Sequence, residues 1–87
     1  MPEISRFFKI IIRMFMNEHN PPHFHAYYDN YKASFSIKTG QMIEGNLPHK
    51  KAALITAWAI IHEKELMANW KALTEGKQAQ KIKSLEG

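Results

Sequence analysis

Hydrophobic and polar residues alternate with period two through most of the first half of the chain and shift to a helical period in the second. From Arg6 to Met16 the alternation puts Phe8, Ile10, Ile12, Met14 and Met16 on one face. Phe7, Lys9, Ile11, Arg13 and Phe15 fall on the other, which predicts a strand with one core face and one partly wet face. Asn17 to Pro22 breaks the pattern: two adjacent prolines fix two φ angles and remove two donors, so this segment reads as a loop outside the sheet. His23 to Tyr28 resumes the extended pattern, and Asp29-Asn30 is a tight-turn signal. Tyr31 to Lys38 alternates cleanly, with Tyr31, Ala33, Phe35 and Ile37 opposed to Lys32, Ser34, Ser36 and Lys38. Thr39-Gly40 is the next turn, and Gln41 to Glu44 is a short last strand. Turns this short permit only an antiparallel meander.

The regime changes at Gly45 to Pro48. From about Pro48 the chain reads as helix, with Leu54, Trp58, Ile61, Leu66, Trp70 and Leu73 as its apolar stripe and Gly76 as its stop. The pattern fits one long helix or two with a break near Glu63. Beyond Gly76 the apolar anchors are Ile82 and Leu85, so the tail reads as a short edge strand or a frayed end. Strands first and helix afterwards give an α+β fold: a small antiparallel sheet of three to four N-terminal strands packed on a long C-terminal helix or helix pair. With no repeat or linker in view, residues 1–87 form one domain. The sheet face away from the helix has nothing to cover it and should be at least partly exposed.

Composition narrows the function classes. The absence of cysteine excludes a disulfide framework, a thiol nucleophile and cysteine metal knuckles. The longest near-apolar run, Ala52 to Ile61, is about half the length of a membrane-spanning helix. The opening Met-Pro-Glu lacks the basic start of a signal peptide, so the expectation is a soluble, cytoplasmic protein without a membrane partner. The net charge is +4, and residues 1–51 carry seven Lys/Arg against four acids. A basic excess in the strand half suits a polyanion or an acidic partner, although ordinary solubility charge is the simpler account of it.

The stretch that carries chemistry is Glu18-His19-Asn20-Pro21-Pro22-His23-Phe24-His25-Ala26. On a strand, the side chains of His23 and His25 point the same way, with their Cα atoms about 6.5–7 Å apart. Phe24 points to the opposite face with Ala26 and Tyr28. If Phe24 is core, the two imidazoles join Lys9, Arg13, Tyr27, Lys32 and Lys38 on the open face. Three readings of this face stand side by side. A His-x-His pair can chelate a divalent metal such as zinc, with His19 as a third ligand if the loop folds back and Glu18 or Asp29 as an oxygen source. Imidazoles, lysines and Arg13 can bind phosphate oxygens while exposed rings stack bases. His23 and His25 can also serve as catalytic acid and base on a phosphodiester. The bland alternative is a rigid loop whose imidazoles bond backbone groups. His62 shares a helix face with Trp58 and Leu66 and reads as a core-edge residue. Phe7, Ile11 and Phe15 would form an exposed apolar patch, which suits a homodimer interface.

The chain resembles a family of small bacterial proteins known as domain of unknown function 4160. The resemblance runs from Pro2-Glu3-Ile4-Ser5-Arg6-Phe7-Phe8 through His19 to Ala26, then Gly45-Asn46-Leu47-Pro48, and on through Trp58, His62, Leu66, Asn69 and Trp70. Its signature falls on His19, Pro21, Pro22, His23 and His25, with His62 and Trp70 on the helix. Lys9 departs from the pattern, in which glycine is usual. The resemblance supplies no activity. It implies a partner protein encoded nearby, in an arrangement similar to toxin–antitoxin modules.

The leading expectation is a binding module for nucleic acid or a small partner protein, with Lys9, Arg13, His19, His23, His25, Tyr27 and Lys32 as its ligand-binding face. The alternative is an enzyme, either a metal-binding hydrolase or a His-dependent ribonuclease, built on His19, His23 and His25. The same residues suit an enzyme and a non-catalytic binding module alike.

Overall fold

The computed structural model describes residues 3–86. Five strands, β1 (Glu3–Phe7), β2 (Ile10–Arg13), β3 (His23–Tyr28), β4 (Tyr31–Ser36) and β5 (Met42–Asn46), precede two helices, α1 (His49–Ile61) and α2 (Glu63–Thr74). The sheet is antiparallel throughout, in the order β1-β2-β3-β4-β5. The arrangement is α+β, with one strand more than the alternation suggested.

The extra strand comes from a hairpin inside the apolar run Arg6–Met16. Phe8 and Lys9 both take positive φ, 49° and 65°, and form a two-residue turn closed by the Phe7–Ile10 pair. Positive φ at both central positions matches the twist of the flanking strands, and asparagine and glycine are its usual occupants. Neither is present here, so the run carries no turn signal and reads as one strand. The hairpin also inverts the expected facing. Phe7 and Ile10 lie together in the core, while Phe8 sits 39% exposed in the turn. Phe7 therefore does not belong to an open-face apolar patch.

The core face of the sheet carries Ile12, Ala26 and Ala33 in one row across the strands and Phe24 beside Phe35 in the next. The rings of Phe24 and Phe35 stack 5.5 Å apart, and Trp58 of α1 meets both Phe24 and Phe7. Trp58 is wholly buried and donates its indole N–H to the Lys83 carbonyl, so one side chain ties helix, sheet and tail together.

His62, with φ −108° and ψ 25°, separates the helices. The break shifts the phase of the apolar stripe. Ile55, Trp58 and Ala59 form the buried face of α1, whereas Ile61 is 67% exposed, contrary to its expected place in the stripe. Leu66, Asn69, Trp70 and Leu73 form the buried face of α2. After Gly76, at φ 77°, the tail is neither a regular strand nor loose. The Ile82 N–H donates to the Ile4 carbonyl at 2.7 Å, and the Asn69 amide bonds both backbone groups of Gln80. The tail thus lies along the β1 edge.

On the open face, antiparallel register aligns two rows of side chains. One runs Glu3, Arg13, His25, Ser34, Glu44; the other runs Arg6, Ile11, Tyr27, Lys32, Asn46. No helix among the described residues is long and apolar enough to cross a membrane.

Candidate metal centre

β3 is extended from its first residue, so His23 and His25 emerge on the same side while Phe24 is fully buried. The loop between β2 and β3 folds back over this end of the strand and carries Glu18 onto both imidazoles. Its Asn20–Pro21 peptide is cis. The Oε1 atom of Glu18 lies 3.3 Å from His23 Nε2 and forms a close hydrogen bond with His25 Nε2. One ligand atom from each of Glu18, His23 and His25 lies within 4.8 Å of the others, which makes this group able to hold a metal ion.

The outer ring nitrogens are fixed as well. His23 Nδ1 lies 2.7 Å from the Pro21 carbonyl oxygen. A carbonyl only accepts, so Nδ1 carries the hydrogen and the neutral ring keeps its Nε2 lone pair facing Glu18. His25 Nδ1 lies 3.3 Å from the Ser34 hydroxyl, which can donate or accept. Each inward-facing nitrogen therefore has an orienting partner on the other side of its ring, the pattern that aims histidine ligands at metals. Rings hold the pair in place. Trp70 of α2 packs 5.2 Å from the His23 ring, Phe15 meets the His25 ring edge-on at 5.2 Å, and the two imidazoles meet at the same distance. The cluster stays reachable, with the Glu18 and His25 side chains 26% and 24% exposed.

His19 points into solvent and stands outside the cluster; its neighbour Glu18 takes the third place. The reason is the path of the loop, which turns residue 18 rather than 19 toward β3. Lys9 lies in the β1–β2 turn, four residues before Arg13 and so about 13 Å from it along the strand direction. Arg13 is the cross-strand neighbour of His25, and its guanidinium lies 5.2 Å from the centre of the Tyr27 ring. Tyr27 and Lys32 face each other across β3 and β4. With His25, Ser34 and Glu44 they line a shallow cavity of about 430 Å³ on the open face. His62 is elsewhere, bonded to Glu65 at 2.5 Å and packed on Trp58. Lys51, near the start of α1, donates to the Phe8 carbonyl and covers the Tyr28 ring, so it serves the hairpin. Ser34 and Trp70 are partners of the histidines that residue spacing did not pair with them: the strand alternation put Ser34 on the right face, but no local pattern links residue 70 to residue 23.

A family model described as domain of unknown function, DUF4160, matches residues 10–71. The chain belongs to this family. The matched segment runs from β2 into α2 and includes Glu18, His23, His25, Ser34 and Trp70. No curated protein and no solved structure matches the chain.

Proposed function

We propose that this member of the DUF4160 family binds one divalent metal ion of the zinc class through Glu18, His23 and His25 and uses it for metal-assisted hydrolysis. The observation that carries the reading is the convergence of one carboxylate oxygen and two imidazole nitrogens within 4.8 Å of one another, with each ring held by a partner on its outer nitrogen. A carboxylate oxygen and an unprotonated imidazole nitrogen 3.3 Å apart, as in Glu18 and His23, repel unless a proton or a metal ion lies between them. Ligands about 2.0–2.1 Å from a tetrahedral ion stand roughly 3.3 Å from each other, the separation found here. Glu18, at the end of a flexible side chain, moves off His25 to admit the ion.

Three protein ligands leave a fourth position for water or substrate, as in catalytic rather than structural zinc sites. An ion there would lower the pKa of a bound water and polarise a substrate oxygen. The chain supplies the orientation: Pro21 and Ser34 hold the outer nitrogens, and Phe15 and Trp70 pack against the two rings. The expectation of a basic binding face has weaker support. Glu3, Glu18 and Glu44 interleave with Arg13 and Lys32 on the open face, and Lys9 lies at its far end. A carboxylate seated directly on both imidazoles suits a metal better than a polyanion.

Calorimetric titration of the untagged protein with zinc tests the reading. One ion per chain is expected, with affinity at least about 100-fold weaker in His23→Ala, His25→Ala and Glu18→Gln whose circular dichroism is unchanged. Absence of zinc binding, or binding indifferent to these substitutions, would overturn it. If turnover persisted without metal but required both histidines, the acid–base reading would replace it.

A further inference from the structure

Among the described residues Arg13, which pairs with His25 across β2 and β3, is a cation without a carboxylate partner. Its cross-strand neighbour Glu3 is the obvious candidate, but Glu3 takes a two-bond fork from Arg6, at 2.9 and 3.2 Å. That hydrogen-bonded pair also holds the Glu3 carboxyl below the usual carboxylate range. Among the described residues no carboxylate oxygen lies within 4.0 Å of the Arg13 guanidinium, and its Nε is buried without a hydrogen-bond partner. The unsatisfied group belongs to the residue opposite His25, where Cβ atoms of paired residues stand about 4.5–5.5 Å apart. An orphaned buried donor costs stability, and the terminal N–H groups of the same guanidinium are left to meet an external acceptor.

From this placement we infer that the substrate of the proposed centre is a phosphate ester, whose phosphoryl oxygens bridge the ion position and the Arg13 guanidinium. The inference rests on the metal reading above and adds the substrate class. A planar guanidinium offers paired donors that match phosphoryl oxygens. A tetrahedral oxyanion can present one oxygen to the metal side and another to Arg13 at once. The cavity lined by Tyr27, Lys32, Ser34 and Glu44 lies on the other side of His25 and takes the alcohol portion. Lys32 there adds a second positive charge, and the Glu44 carboxylate accepts hydrogen bonds from hydroxyl or amino groups of that portion. Hydrolysis forms a bond from the water oxygen to phosphorus and breaks the ester P–O bond. The water loses one proton and the departing alkoxide gains one, so phosphate and an alcohol result without any redox change.

The test measures inorganic phosphate binding to the zinc-loaded protein, alongside zinc affinity in the same variants. Arg13→Gln is expected to weaken phosphate binding at least 10-fold while zinc affinity stays within about threefold. Arg13→Lys, which keeps the charge and loses the fork, falls between and serves if the glutamine variant does not fold. Lys9→Gln removes the same charge at the distant hairpin and should change neither affinity. Absence of phosphate binding to the zinc-loaded wild type, or equal phosphate affinity in Arg13→Gln and wild type, overturns the assignment. If the wild type takes up no zinc, the metal reading falls separately. Phosphate titration of the metal-free protein then decides the anion site: binding that requires Arg13 retains it, and no binding removes it.

Discussion

A histidine commits to a metal only when both ring nitrogens are accounted for, and here each outer nitrogen has its own partner. The Pro21 carbonyl can play no role but acceptor, so His23 is locked in one tautomer. Ser34 can reverse its role, so His25 remains free to give up the proton on Nε2. Removing the adaptable partner should therefore be felt at the ion. Ser34→Ala is expected to weaken zinc binding about 10-fold, within the range for partners that orient ligands, and to leave stability nearly unchanged. Competition with a chromogenic chelator reads the difference. The pairing of His23 with His25 was legible because strand geometry alone aims i and i+2 together. The third member of the cluster was ambiguous: Glu18 and His19 are adjacent, and which one turns inward depends on the loop path. Trp70, which braces His23 from α2, lies 47 positions away in sequence and carries no local signal.

Among the elements, the β1–β2 hairpin is the one whose sequence disagrees with its shape. Lys9 holds φ +65°, where a side chain on an L-residue is disfavoured and glycine is not. Lys9→Gly should raise stability by about 1 kcal/mol, seen as a higher denaturant midpoint with an unchanged slope. A lower midpoint would contradict the turn. Gly45 is the converse case. It sits at φ +95° in β5, and an added Cβ would lie 2.4 Å from the Lys32 carbonyl oxygen and 2.6 Å from Ala33 Cα. Gly45→Ala should destabilise by more than about 2 kcal/mol and distort the β4–β5 side of the cavity. The tail depends on Asn69, buried and bonded twice to Gln80. Asn69→Ala should cost about 2–3 kcal/mol, since it leaves both Gln80 backbone groups short of a partner, and should speed amide exchange at residues 80 and 82. The period-two runs, the Asp29-Asn30 and Thr39-Gly40 turns and the start of the helix were all readable from local chemistry. The hairpin at residues 8–9 was not, because Phe-Lys is not a turn pair. The tail was not either, since its anchors are single side chains reaching across the molecule.

For the whole molecule, the division of labour between the two faces of the sheet is the main result of the fold. One face is closed around Trp58 of α1, while Trp70 of α2 reaches His23 on the other; the closed face supplies the stability that lets the rest of the second remain polar and partly wet. A small domain has little stability to spare, so a ligand that binds only the folded state shows directly in its melting. At a free zinc concentration 100 times Kd the gain is about 2.7 kcal/mol, which for a domain of this size raises Tm by roughly 10–20 °C. The Glu18→Gln variant should lose most of that rise. Which atoms hold the ion is read by X-ray absorption at the zinc edge of the loaded, untagged protein. Two imidazole nitrogens and carboxylate or water oxygens at about 2.0–2.1 Å are expected, with the imidazole signal reduced when His23 or His25 is replaced by alanine. A shell of oxygens alone, or an imidazole signal unaltered by those replacements, would contradict this ligand set.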